Sequence, residues 1–305
     1  MIEVLQAGLC DLVMGTGRPG WAASGVPAGG AADPAALAAA NLLVGNAAEA
    51  AGLEMTLAGP SLRFPEGAIV ALTGAHFSAA RSCGAVVAWN ETLVLAPGET
   101  LTIGRAESGC RCWLALQGGL GVPLVMGSPS TFLPAAFGGY AGRPLCAGDR
   151  LEMGAQTGEI RLLRGMPPVE GGGTDRPFRV IAGPQVAWFD DAGLATFFGS
   201  VFRVAAETDR RGLRLSGAAV KYAGGSLLSQ GVLPGAIQVP PSGQPIILGW
   251  DGPVTGGYPV IAGVISADWA RLAQLRPGDT LRFETIEVER ARACALAEWS
   301  IEALV

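Results

Sequence analysis

The sequence predicts a mostly-β protein built as two β domains with a few short helices. Three observations carry that reading. First, the 305 residues include 46 glycines and 21 prolines spread along the whole chain, the spacing of many short strands joined by frequent turns. Second, half of the residues are hydrophobic and only 15% are charged. That supplies a sizeable core and implies a surface that is glycine-rich or partly covered by another subunit. Third, 165–177 (Gly-Met-Pro-Pro-Val-Glu-Gly-Gly-Gly-Thr-Asp-Arg-Pro) has no periodicity and is full of breakers. It therefore separates an N-terminal β domain over 1–164 from a C-terminal β domain over 178–305.

The strands follow from short apolar runs, most of them closed by Gly or Pro: Val70–Thr73, Leu101–Ile103, Cys112–Leu116, Phe178–Ile181, Ala236–Val239, Pro245–Leu248 and Leu281–Phe283. The most apolar stretch, Pro245–Ile265, contains Asp251, prolines and glycines. It is predicted as two buried strands joined by a loop rather than a membrane span. Asp33-Pro34 predicts a helix start, with Leu37, Leu42, Leu43 and Val44 before a stop at Gly45. Ser266 is placed to cap a second helix carrying Trp269, Leu272 and Leu275, closed by Pro277-Gly278. Pro184–Phe198 predicts a third, interrupted near Gly193, and Cys294, Ala297, Ile301 and Leu304 give a C-terminal helix one apolar stripe.

A heptad recurs: Leu95-Ala-Pro-Gly-Glu-Thr-Leu101, Leu275-Arg-Pro-Gly-Asp-Thr-Leu281 and, relaxed, Leu145-Cys-Ala-Gly-Asp-Arg-Leu151. This is a turn that launches a strand, with glycine in the special backbone angle and the acid facing water. Its use in both halves points either to two similar β domains or to one turn solution used three times.

Composition excludes several functions. Net charge is −5 and Lys221 is the sole lysine, so no basic stripe exists for nucleic acid. Met1 is followed by Glu3, with no apolar run before a small-residue cleavage site. A cytoplasmic protein is expected, its six cysteines reduced and buried. His76 is the sole histidine. It argues against a metal centre and against a Ser-His-Asp triad, and is expected as a satisfied core or turn residue. Neither a Walker loop nor a Gly-x-Ser-x-Gly elbow is present.

Chemistry is instead expected in loops that set polar residues among glycines. These are 15–21 around Arg18, 137–143 with Tyr140 and Arg143, the charge cluster 207–212, and 234–244 leading to Asp251 and Thr255-Gly-Gly-Tyr-Pro259. Glycine admits a ligand closely, and arginine grips carboxylates with two prongs.

These stretches resemble one family along nearly the whole chain. The matching segments are Gly17-Arg-Pro-Gly20, Gly25-Val-Pro27, Gly30-Ala-Ala-Asp-Pro34, Asn41-Leu-Leu-Val-Gly-Asn46, Leu53-Glu-Met-Thr-Leu57 and Gly59-Pro60. They continue with Gly118-Gly119, Phe137-Gly-Gly139, Asp209-Arg210, Gly231-Val-Leu-Pro-Gly-Ala-Ile-Gln-Val-Pro240, Gly243-Gln-Pro245 and Thr255-Gly-Gly-Tyr-Pro259. The resemblance is to the biotin-dependent carboxyltransferase-like proteins: the C subunit of 5-oxoprolinase, KipA-type antagonists, allophanate hydrolase subunit 2 and a domain of urea carboxylase.

The resemblance implies two cyclophilin-like β-barrel domains and a KipI-like B subunit as partner, with an A subunit in the hydrolase. That complex uses ATP to open 5-oxoproline to glutamate, and this chain alone binds no cofactor. On this reading Asp251, Tyr258 and Asp209 are catalytic, and Arg18, Arg210, Gln238, Gln244, Thr255 and Arg143 bind substrate. Two alternatives come with the family: a non-catalytic KipA-type regulatory subunit, and a carboxyltransferase that moves a carboxyl group from biotin to urea or a similar amide. Departures from the family pattern are all polar or charged positions. Met14 and Gly15 stand for glutamine and aspartate. Gly252, Pro253, Val254 and Val260 stand for arginine, glutamine, threonine and lysine. Pro129 stands where a serine-flanked arginine is common. Val or Gly cannot pair with a carboxylate or carry a proton.

Overall fold

The computed structural model describes residues 1–154, 176–225 and 227–298. They fall into two units, one comprising 1–18 and 29–154, the other 19–28, 176–225 and 227–298. Residues 165–175 of the expected linker, and Ile301 and Leu304 of the expected C-terminal stripe, lie outside the described residues.

The N-terminal unit is two antiparallel five-stranded sheets. One runs Arg150–Leu151, Ile2–Gln6, Ser61–Phe64, Glu99–Ala106, Phe77–Arg81; the other runs Asp11–Met14, Gly52–Thr56, Arg111–Leu116, Ala68–Gly74, Thr92–Leu95. Val4, Leu62, Phe64 and Leu101 of the first share one core with Val13, Leu53, Leu72 and Leu114 of the second. The second sheet's other face lies under helix α1, Pro34–Leu43, where Ala40, Leu43 and Val44 meet Ala71 and Ala115. Covered on both faces, Arg111–Leu116 is buried at every position. Helix α1 begins as predicted: the Asp33 carboxylate accepts from Ala36 N at 3.0 Å, with Pro34 in the first turn. It ends at Gly45, whose φ is +76°.

The C-terminal unit is an eight-stranded sheet in the order Thr280–Leu281, Phe202–Val204, Gly212–Ser216, Ile246–Leu248, Ala236–Gln238, Val260–Val264, Phe178–Ala182, Phe283–Thr285. Its two edge strands are separated in the chain by Arg282 alone, so the sheet is a nearly closed barrel. This corrects the expected single strand Leu281–Phe283: the chain turns from one barrel edge to the other at that point. Alternation builds the wall, as in Leu213 and Leu215 buried with Arg214 exposed. Phe178, Phe202 and Phe283 fill the interior, and Phe197 of helix α2 (Asp191–Gly199) stacks on Phe283 at 4.7 Å. A two-stranded ribbon, Gln230–Gly231 with Thr255–Gly256, completes the pairing.

The helices depart from expectation in detail. Helix α2 runs through Gly193, and the break falls before it: a 3-10 turn at Val186–Trp188, then Asp190, whose carboxylate accepts from Gly193 N. Ser266 opens a 3-10 turn and makes no side-chain cap to helix α3, Trp269–Ala273. That region is anchored by Asp268, fully buried and gripped by Arg179 at 2.6 Å. Helix α4, Val288–Glu298, has Cys294 half-buried, but Ala297 is exposed. Cys110 and Cys112 are buried thiols as expected, whereas Cys83 and Cys146 are exposed. His76 is half-exposed, bound to Glu107 at 2.9 Å. Among the described residues no helix is long and apolar enough to cross a membrane.

The recurring heptad is one turn used three times. Gly98, Gly148 and Gly278 have φ of +80°, +91° and +94°. Their amides donate to Phe64, Val4 and Val204 carbonyls, each at 2.8 Å. The acid does not face water as expected. Glu99, Asp149 and Asp279 accept the amides of Ala96, Cys146 and Arg276 at 2.8, 2.7 and 2.8 Å, closing the turn on itself. Arg81 then pairs with Glu99 at 2.6 Å, and Arg143 with Asp149 at 2.7 Å. The Arg81 guanidinium holds the Glu99 carboxyl down at about 2.

Two other carboxyls behave oppositely. Burial pushes Asp11 up to about 7 and Asp33 up to about 6. Between the unfolded value near 4 and these raised values the folded state holds protons that the unfolded chain has lost. Stability therefore falls as pH rises from about 4 to 7. Thermal unfolding should show a higher Tm at pH 5 than at pH 8. Asp11→Asn should flatten the upper part of that slope and raise stability at pH 8 by roughly 1–4 kcal/mol. A slope of the opposite sign over this range refutes the assignment.

Candidate functional site

In the C-terminal unit, Arg210 and Asp251 meet. Arg210 Nε lies 2.7 Å from Asp251 Oδ2 and Nη2 lies 3.3 Å from Oδ1. The pair is held by backbone as well, since Asp251 N donates to the Arg210 carbonyl at 3.1 Å. Both side chains are nearly sealed from solvent. Between Lys221 and Asp268 the sole charged residue is Asp251. An isolated charge there would be costly, and Arg210 offsets it. The expected neighbour Asp209 does something else. Its exposed carboxylate accepts from Arg211 N at 2.7 Å and Gly212 N at 3.3 Å, closing the turn that aims Arg210.

Gln238 lies on the outer face of the barrel wall, because its neighbours Ile237 and Val239 point into the core. In register it stands opposite Ile246 and Val260. The Thr255–Gly256 ribbon covers it, and the side chain is 4% exposed. Its Nε2 has no acceptor, an omission that costs about 1–3 kcal/mol. Nε2 is aimed at Gly256, where any Cβ would overlap it. Thr255 and Tyr258 ride on and beside the ribbon, both exposed.

Two further glutamines complete this region, and sequence reasoning did not single them out. Gln185 and Gln230 pair amide to amide, with bonds of 3.1 and 3.0 Å in the two directions. Gln185 Oε1 also accepts from Val260 N at 3.0 Å. The signal for Gln185 was a polar residue directly after Gly183-Pro184 at a strand end. Gln230 had no signal, because its partner is 45 residues away. Gln244 is engaged elsewhere: its amide accepts from Gly217 N and donates to Gly217 O, extending the pairing of Gly212–Ser216 with Ile246–Leu248.

Arg18 and Arg143 belong to the N-terminal unit. Arg18 is 1% exposed, lies over the Phe137 ring at 4.9 Å and donates to the Ser130 carbonyl. Gly138, beside that guanidinium, has φ +71° and no room for a side chain. The same loop holds Ala136 and Ala141 at φ +51° and +54°, a strained path for alanine. Arg143 is spent on Asp149, both nitrogens against both oxygens at 2.7 and 2.8 Å, and stacks by Tyr140.

The substituted positions are packed to suit their present residues. Met14 is fully buried. A Cβ on Gly15 would stand 2.7 Å from Pro129 Cγ, so two of the departures touch each other. A Cβ on Gly252 would meet the Arg211 and Gly249 carbonyls at 2.8 and 2.9 Å. Val260 packs with Val232 and Leu248. Among the described residues no group of three or more His, Cys, Asp or Glu is placed to hold a metal.

The family model described as carboxyltransferase domain, subdomain A and B, matches residues 24–285 of this chain. The chain is 40% identical over 293 residues to the C subunit of 5-oxoprolinase from Escherichia coli K12, covering 95% of this chain and 93% of that one. It is 35% identical to the corresponding 5-oxoprolinase protein of Haemophilus influenzae, covering 95% and 93%. It superposes on the crystal structure of the K. lactis urea amidolyase with a TM-score of 0.91 at 30% identity. That match covers 98% of this chain but 19% of the amidolyase.

Two stability measurements check this geometry. Asp251→Asn should destabilise the C-terminal unit by about 3–5 kcal/mol, because it removes the carboxylate from the buried pair with Arg210. Gly15→Ala should cost about 1–3 kcal/mol through its clash with Pro129. Adding Pro129→Ala should recover most of that loss in a double-mutant cycle. Simple additivity would mean the two residues are not coupled.

Proposed function

The chain belongs to the carboxyltransferase family of subdomains A and B, and from that premise we propose that it is the C subunit of an ATP-dependent 5-oxoprolinase. One observation carries this reading: its match to the 5-oxoprolinase protein of E. coli runs nearly end to end in both chains. The amidolyase match covers a fifth of a longer protein. A related B subunit, and an A subunit, would complete the complex in the cytoplasm, where ATP is the co-substrate.

The C-terminal unit supports an amide substrate. Around Gln238 the polar groups are amides, which match the lactam of 5-oxoproline. In this role Asp251 and Arg210 hold the ribbon's root, Gln238 and Thr255 bind, and Tyr258 presents a hydroxyl beside them. Asp209 and Gln244 support the turns.

A second reading, a KipA-type subunit without catalysis, is favoured by the Gly15–Pro129 contact and by buried Val260. Both replace polar chemistry with packing. The test that separates them is co-expression with the B- and A-type subunits and measurement of glutamate formed from 5-oxoproline. ATP-dependent turnover, reduced at least tenfold by Tyr258→Phe or Gln238→Leu, is expected. A stable complex with no turnover overturns the enzyme reading and leaves the regulatory one.

A further inference from the structure

The ribbon of Gln230–Gly231 with Thr255–Gly256 extends past its two residue pairs. Val232 N donates to Val254 O at 3.0 Å. The same register sets Leu233 opposite Pro253, and Ser229 opposite Gly257, where a Cβ would stand 3.7 Å from Ser229 Oγ. Side chains then alternate between two faces. Gln230 faces the barrel and pairs with Gln185, and Val232 packs with Leu248 and Val260. Ser229, Gly231, Leu233, Pro253, Thr255 and Gly257 form the outer face, and all six are exposed. Leu233 is 76% exposed, and Leu228, at the end of the ribbon beside Tyr258, is 89% exposed.

Two features of this face are not required by the fold beneath it. The first is Gly231. Its φ lies outside the left-handed region, and a side chain there would meet nothing within 4 Å among the described residues. Neither a turn nor a neighbour demands the glycine. Yet glycine weakens a strand, and in a strand it marks the close approach of another backbone. Gly256, on the inner face, is the contrast, since a Cβ there would overlap the Gln238 side chain. The second feature is charge. From Tyr222 to Ala267 the sole charged residue is Asp251, sealed against Arg210. Ordinary domains are about a quarter charged, and exposed strand edges usually carry charges that keep other strands from adding. This ribbon has no charge on either strand and large apolar side chains at both ends. That is the composition of the centre of a protein–protein contact.

How the fold occurs elsewhere indicates the occupant. The crystal structure of TTHA0988 superposes on 93% of this chain with a TM-score of 0.82 at 34% identity, and the match takes up 55% of TTHA0988. A fold of this kind therefore occurs joined to a further segment of nearly its own size, which this chain has to take up from another polypeptide. We propose that the outer face of the ribbon is the docking face for that second subunit, which lays an uncharged extended segment across Gly231 and takes Leu228 and Leu233 into apolar contact. This rests on the reading of the chain as one subunit of a complex, and adds the surface through which it assembles. Docking there covers Thr255, so a hydroxyl assigned to substrate is shut off from bulk water only once the subunits meet.

Association of the full chain with the B-type subunit, followed by light scattering and calorimetric titration, tests the proposal. Gly231→Val should weaken association at least tenfold while leaving the Tm of the free chain unchanged or higher, because valine suits a strand and meets nothing inside the chain. Gly231→Ala takes its place should valine disturb folding. Leu233→Arg should weaken association at least tenfold as well. Leu124→Arg, at an exposed leucine of the N-terminal unit, should leave it within twofold. Association unchanged within twofold by both ribbon variants overturns the proposal, as does a wild-type chain that does not bind the B-type subunit. A free chain that is a dimer, and becomes a monomer with Gly231→Val, also overturns it, because the occupant is then a second copy. A Leu233→Arg complex that assembles and turns over 5-oxoproline normally sinks this inference and leaves the proposed function standing. A complex that depends on the ribbon yet shows no turnover upholds the docking face and removes the hydrolase.

Discussion

In both units the pairing of strands hangs on a glycine that donates its amide backwards to the strand about to be joined: Gly98 to Phe64, Gly148 to Val4, Gly278 to Val204. The bond is possible because glycine adopts a φ near +90° without steric cost. It fixes which residue of the new strand faces which residue of the old. Since side chains alternate faces, a slip of one residue would turn the whole strand inside out. The acid that follows secures the turn by accepting its first amide, so the turn is rigid before the strand begins. Arginines 81 and 143 complete two of the three turns.

That constraint decides what is left for chemistry. Arg143 is consumed by a turn, Gln244 by the end of a strand pair and Asp209 by the loop that aims Arg210. What remains in the C-terminal unit is a nearly charge-neutral region: a closed Arg210–Asp251 pair, three glutamines and an exposed threonine and tyrosine. The cost of that arrangement is local, in the unmatched amide of Gln238, and the barrel beneath it is tightly filled by Phe178, Phe202 and Phe283.

The replaced positions show why family-level chemistry does not transfer residue by residue. Gly15 and Pro129 occupy one another's space, and Val260 has become part of an apolar cluster with Val232 and Leu248. Each looks in isolation like a lost polar group. Within each unit the replacing residue is packed against its own neighbours.

The sequence by itself determined what is local. Asp33-Pro34 and Gly45 bounded helix α1, the Gly–acid heptads marked the turns, and the apolar alternations marked the walls, because caps, left-handed angles and strand periodicity act over a few residues. The ordered glycine- and proline-rich motifs also determined the family. Only the tertiary structure decided what is distant. Leu281–Phe283 is two strands because closing the barrel requires a turn at Arg282. The acids of the heptads face inward because their own amides lie nearer than water. Gln185 and Gln230 became partners, and Arg18 became a strut on Ser130 and Phe137, because residues far apart in the chain were brought within hydrogen-bonding reach. Hydrogen bonds between such residues depend on where the fold delivers them, and no pattern of neighbours along the chain encodes that.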